Sequence, residues 1–183
     1  AGHVLRYDKM PIPAIDGHTC YLEAGGLRIG IEYRVLDDIV TARARLHLEQ
    51  ASGSDTGQLT ELDDRGVSLH VYTACDEGWR ENLRFDCFEE DPHYHYVSWS
   101  ERRNEVLYVD PVADGDPLAW ALDRIRQRLP AMLRRAEPGA EIGIDWVAVD
   151  ALMPRVAATA YEMRFNAPDE AVRVVAHGAH HGD

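Results

Sequence analysis

At 183 residues the chain has the length of one ordinary domain, enough to bury a hydrophobic core without disulfides or metals as staples. Its 45% hydrophobic content is that of a globular protein, and no run approaches the ~18 consecutive apolar residues of a membrane span. A formal charge of −13 argues against nucleic acid and anionic membranes as partners. Cys20, Cys75 and Cys87, lacking C-x-x-C spacing, argue against a disulfide framework or a thiolate zinc site. A soluble, cytoplasmic, bacterial-type domain is the expectation.

Residues 1–18 carry Pro11, Pro13 and Gly17 without periodicity and read as an extended lead-in that wraps the domain, with regular structure starting near Thr19. Cys20 to Glu23 reads as a short strand, with Gly25-Gly26 turning the chain into LRIGIEYRV. There Leu27, Ile29, Ile31, Tyr33 and Val35 alternate with Arg28, Gly30, Glu32 and Arg34, the pattern of a half-buried strand. In DDIVTARARLHLEQ the residue types favour helix, but Val40, Ala42, Ala44, Leu46 and Leu48 alternate without a miss, so a strand over 39–49 is expected. The following ASGSDTGQ is a polar loop.

Four more strands are predicted at Val67 to Ala74, Leu83 to Phe88, His93 to Trp99 and Glu105 to Val109. Their connections are short and polar, as in an antiparallel meander. Asp116 as N-cap and Pro117 at the first helical position open a helix running through Leu118, Leu122, Ile125, Leu129, Met132 and Ala136 to about Glu137, with a kink expected at Pro130. EIGIDWVAV reads as a further strand, a second helix starts between Asp150 and Pro154 and reaches about Phe165, and the tail from Asn166 is loose. The fold class is α+β: a twisted antiparallel meander of six or seven strands, one face covered by two C-terminal helices, within a single domain spanning 19–165.

Strand parity says what shares the other face. If Leu27, Ile29, Ile31, Val67, Leu69, Val71, Leu83, Phe85 and Cys87 meet the helices, then Arg28, Glu32, Arg34, Ser68, His70, Tyr72, Arg84, Asp86 and Phe88 point away. This face is ionisable and aromatic. Two chemistries fit it. His70 with Asp86 or Glu32 makes an acid/base pair of imidazole and carboxylate. His93 and His95, two apart on a strand, reach one face and can share a divalent metal. Asp86, His70 or Glu32 supplies a third ligand and water a fourth, as in hydrolytic or oxidative sites. The H-x-H of double-stranded β-helix enzymes is similar, but here no Glu follows at short spacing and no second His motif lies downstream.

G-x-S-x-G, P-loop, G-x-G-x-x-G and H-E-x-x-H signatures are absent. From Asp55 to Asp91 eleven acidic residues face three arginines, a segment suited to a divalent cation, a basic protein or solvent alone. The outer side of the first helix is basic through Arg124, Arg126, Arg128, Arg134 and Arg135, while His177, His180 and His181 sit in the tail without a cavity. A kinked helix over a curved sheet would also leave room for a small apolar ligand. The favoured expectation puts Tyr94 and Tyr96, not His93 and His95, beside Asp86. The protein is then a small binding or assembly module that forms a homodimer through Tyr72, Phe88, Tyr94 and Tyr96. The alternative is a metal-dependent enzyme of hydrolase or oxygenase type.

Overall fold

The alternating segments form seven antiparallel strands: β1 (Val4–Tyr7), β2 (Thr19–Ala24), β3 (Leu27–Leu36), β4 (Asp64–Cys75), β5 (Gly78–Phe88), β6 (His93–Ser98) and β7 (Arg103–Tyr108). The computed structural model describes residues 4–7, 9–36 and 64–167; the strand expected over 39–49, the polar loop after it and the tail histidines lie outside the described residues. The strands form one sheet in the order β1-β7-β6-β5-β4-β3-β2, so β2 to β7 follow one another as a meander. Three helices follow, α1 (Pro111–Asp114), α2 (Pro117–Ala136) and α3 (Trp146–Phe165), and the molecule is α+β as expected.

One sheet face and the helices α2 and α3 share the core. Leu27, Ile29, Ile31, Val67, Leu69, Val71, Leu83 and Phe85 of the strands are almost fully buried with Leu118, Ile125, Leu129, Leu133, Val156 and Ala160 of the helices. The helix α2 packs on β5 and β6, and α3 on β2 to β4. Asp116 caps α2 by accepting from the Ala119 N–H, as the Asp-Pro pair predicts, and Pro130 lies inside the helix.

Three boundaries differ from expectation. Val4–Tyr7, placed in the lead-in by sequence, pairs with β7 from Val4↔Leu107 to Tyr7↔Asn104. EIGIDWVAV is not a strand. Asp145 instead caps α3 through the Val147 and Ala148 N–H groups, which starts the helix ahead of Asp150, and Ile142 and Val147 of the supposed strand are exposed. The Asp145 N–H meanwhile donates to the Gly25 carbonyl. A Cβ at Gly25 would lie 2.4 Å from the Asp145 oxygen, so this contact needs glycine between β2 and β3. Finally, β4 and β5 form one long hairpin down to Cys75↔Gly78, where sequence suggests a nine-residue connection, ACDEGWREN.

The largest correction concerns β6. Tyr94 and Tyr96 face the helices: Tyr94 lies 5.9 Å from the Phe85 ring and 5.2 Å from Trp120 of α2, and the Arg135 guanidinium sits 3.8 Å over the Tyr96 ring. The pairing Asp86↔His93 and Arg84↔His95 then turns both histidines to the opposite face. The two tyrosine rings pack between β6 and α2 against Phe85, Trp120 and Arg135, where large rings bury more apolar surface than imidazoles would.

At the far end of the sheet, Asp64 is 3% exposed and accepts hydrogen bonds from the Arg65, Glu90 and Asp91 N–H groups, which fixes the β5–β6 turn that delivers His93. Its neighbour Gly66 packs against β5 so closely that a Cβ would stand 2.3 Å from the Cys87 carbonyl oxygen. Gly66→Ala is therefore expected to destabilise the protein by at least about 2 kcal/mol, measured by urea denaturation, because neither backbone can yield.

Candidate metal centre

The face turned from the helices carries the polar half of each strand, yet it is buried. Glu32, His70, Arg84 and Asp86 are each no more than 3% exposed. Among the described residues, the segment 9–15 crosses this face from β7 to β3. The Lys9 carbonyl accepts from Asn104 Nδ2 at 3.1 Å and the Ile12 carbonyl from Arg84 Nη2 at 2.6 Å. The Ile15 N–H donates to Glu32 Oε1 at 3.3 Å. Pro11 and Pro13 suit such a strap, since they hold it extended and have no N–H to satisfy.

Buried charges on this face sort into two groups. In the first, His70 lies between two carboxylates, with Nε2 2.9 Å from Glu32 Oε2 and Nδ1 2.6 Å from Glu81 Oε2; Glu81 also takes the Arg84 guanidinium, and Arg34 stands 3.7 Å from Glu32. Both ring nitrogens face acceptors, so His70 belongs here as an imidazolium. Burial opposes that charge, but hydrogen bonds to Glu32 and Glu81 outweigh it and raise the pKa. Burial likewise opposes the charge on Glu81, yet Arg84 and His70 pull its pKa down. Parity alone hides Glu81, which by count falls on the same face as Leu83 and Phe85 of the core. A β-bulge resolves this: Val71 pairs with Leu83 and Tyr72 with Glu81, leaving Asn82 as the extra residue. The bulge rotates Glu81 onto the polar face. Of the acid/base pairings considered from sequence, His70 meets Glu32; Asp86 has other partners.

The second group is Asp86 with His93 and His95. Their ligand atoms lie within 4.8 Å of one another, and Asp86 Oδ2 is 3.2 Å from His93 Nε2 and 3.1 Å from His95 Nε2. The other nitrogen of each ring is already committed. His93 Nδ1 stands 2.8 Å from the Asp91 carbonyl oxygen and His95 Nδ1 2.8 Å from Asn104 Oδ1. The amide orientation of Asn104 is unambiguous, because its nitrogen must be the atom that donates to the Lys9 carbonyl. Each Nδ1 therefore carries a proton, and in a neutral ring each Nε2 presents a lone pair to the Asp86 oxygen.

Three acceptors aimed at one point repel unless positive charge lies between them. Protons on the imidazoles can supply it. Burial opposes charge on both Asp86 and His93, but their mutual hydrogen bond outweighs it: with His95 it holds the Asp86 carboxyl well below the usual range, and it raises the His93 pKa. A divalent cation can supply it as well, since metal–ligand bonds of about 2.1 Å put neighbouring ligand atoms about 3–3.5 Å apart. The supports suit either case. Ser68 Oγ donates to Asp86 Oδ1 at 2.5 Å, leaving Oδ2 as the inward oxygen. Phe88 and Tyr108 flank the His93 ring at 5.6 and 5.8 Å, and the 18% exposure of the His93 side chain marks where solvent reaches the cluster.

Sequence reasoning selected Asp86, His93 and His95 as one set, while Ser68 appeared on the right face without a role. Asn104 was missed because the strand was started at Glu105; extending β7 back along its alternation with Val106 and Tyr108 would have found it.

His70 supplies a pH test. Because its folded-state pKa is raised, the stabilisation from charging it is complete below the ordinary histidine range and is lost as pH rises through the raised value. His70→Gln is expected to cost about 3 kcal/mol at pH 6 and progressively less through the alkaline range, read by urea denaturation of both proteins across pH.

Comparison with curated proteins and with solved structures gives no match. A family model does match: a domain of unknown function, DUF7700, over residues 21–160, a span that holds β3 to β7, all three metal-ligand candidates and most of α3. No helix among the described residues is long and apolar enough to cross a membrane. With most of its length matched, the chain belongs to the DUF7700 family of domains of unknown function.

Proposed function

We propose that this domain binds a divalent transition-metal ion through His93 Nε2, His95 Nε2 and Asp86 Oδ2, and acts as a metal-dependent enzyme of hydrolase or oxygenase type. One observation carries the reading. Both imidazoles are locked by acceptors at Nδ1, so that both Nε2 atoms converge on a single buried carboxylate oxygen and, in the neutral rings, offer their lone pairs to one point. Two imidazoles and one carboxylate, without a thiolate, suit ions such as Zn2+, Fe2+ or Mn2+. Three protein ligands leave positions for water and an exogenous ligand, the hallmark of a reactive site rather than a closed structural one. His70 has no place in that chemistry: it is fully buried and held by Glu32 and Glu81.

Protein purified without a metal-affinity column is expected to carry or take up one equivalent of metal, by elemental analysis and zinc titration. His93→Ala, His95→Ala and Asp86→Ala should each fall below about a tenth of an equivalent, since real sites bind tightly. Zinc at 100 times its Kd should stabilise the wild type by about 2.7 kcal/mol. A wild-type chain that takes up no metal, or variants that bind as well as it does, would refute the reading and leave any uptake to the tail histidines.

Self-association is the second reading, on a different surface from the one the sequence suggested. Tyr94 and Tyr96 are turned into the core, but β1 ends the sheet, all four of its residues are exposed, and Leu5 and Tyr7 of β1 and Tyr108 of β7 are exposed along this edge. An edge strand with exposed rings suits strand-to-strand pairing of two copies. Sedimentation of a stable monomer at micromolar concentration would end this reading.

A further inference from the structure

We infer that Asn104 is a positioning residue for the proposed metal centre, and that the strap across the polar face decides which way its amide points. The inference rests on the metal reading above. An imidazole binds a metal through Nε2 only if its proton sits on Nδ1, and the group hydrogen-bonded to Nδ1 makes that choice. For His93 the choice is local and permanent, because a backbone carbonyl two residues earlier, that of Asp91, can only accept.

For His95 the partner is an amide, which can present either oxygen or nitrogen. With the oxygen inward, as here at 2.8 Å, Nδ1–H is favoured and the Nε2 lone pair faces Asp86. With the amide turned over, its NH2 would face Nδ1, the proton would move to Nε2, and an N–H would point at the ion. What prevents the turn is the Lys9 carbonyl, which accepts from Nδ2 at 3.1 Å; reversal would place two oxygens against each other. A backbone carbonyl 95 residues away in the chain thus selects the tautomer of a ligand. Asn104 is 5% exposed, so water does not compete readily for either bond.

The test uses the full chain loaded with Co2+, whose visible spectrum reports the ligand set, and with Zn2+ for affinity. Asn104→Leu removes the acceptor while keeping much of the shape. Its zinc affinity should fall about 10- to 100-fold with an altered cobalt spectrum. Asn104→Asp accepts through either oxygen and needs no orienting. It should bind within about threefold of wild type with an unchanged cobalt spectrum, although a carboxylate against the Lys9 carbonyl should lower its melting temperature. A purely structural Asn104 would give the opposite pattern, with both variants weakened alike.

Wild-type affinity and spectrum in Asn104→Leu, or an Asn104→Asp as weak as Asn104→Leu, would overturn the inference while leaving the metal site standing. A wild type that binds neither ion would remove both. If Asn104→Leu does not fold, nitrogen NMR of the zinc-loaded wild type decides. A protonated, pyrrole-type Nδ1 on His95 is expected, and a metal-bound Nδ1 would overturn the inference.

Discussion

Two imidazole nitrogens share one carboxylate oxygen in a place that water barely reaches, and most of the polar face is arranged around that fact. Asp86 is 3% exposed and stands 3.1 and 3.2 Å from the two histidines. A carboxylate so placed is tolerable only with positive charge beside it and hydrogen bonds on its remaining lone pairs. Ser68 meets the second oxygen, Asp91 and Asn104 hold the rings from behind, and Asp64 ties down the turn from which His93 emerges. The cluster is a chain of mutually dependent bonds. Loosening one member leaves another buried polar group unpaired, which is why the arrangement is rigid without being apolar.

The sheet has two buried faces of different character. The helix side is an ordinary core of Leu, Ile, Val and aromatic rings, stabilised by removal of apolar surface from water. The other side buries Glu32, Arg34, His70, Glu81, Arg84, Asp86 and His95, none of which gains from leaving water. Their burial is offset by pairing: His70 with two carboxylates, Arg84 with Glu81, Asp86 with two histidines. The strap of residues 9–15 completes the pairing, since its carbonyls take the outward donors of Arg84 and Asn104. Apolar residues of similar volume would often stabilise such a face at least as well. Ionisable groups kept in that position are a characteristic of functional sites, where charge must be held ready for a ligand.

Much of the fold was legible because its signals are local. Strict alternation in Leu27 to Val35 and the Asp-Pro start of α2 depend on neighbouring residues only, and both elements appear where the pattern puts them. The faces of β3, β4 and the end of β5 followed by counting. The rotation of β6 did not, because His93, His95, Val97 and Tyr94, Tyr96, Ser98 are both mixed sets with apolar and polar members. Only packing across the sheet decides between them, with Tyr94 set against Phe85 and Trp120 and the histidines paired beside Asp86 and Arg84. Glu81 was invisible for a different reason: one extra residue, Asn82, reverses the count beyond it. The start of α3, expected between Asp150 and Pro154, lies earlier because Asp145 caps it within the segment whose composition reads as a strand.

By itself, the sequence determined the fold class, the ionisable character of the second sheet face and a pool of ion ligands for it, His93 and His95 with Asp86, His70 or Glu32, because side-chain alternation and residue chemistry are properties of short segments. Only the tertiary structure decided that His93 and His95 turn toward Asp86, that Glu81 joins His70, and that a strap covers the face and orients Asn104. Those outcomes depend on contacts between segments far apart in the chain, where packing volume and the need to satisfy every buried donor and acceptor select one arrangement among several that local pattern allows equally.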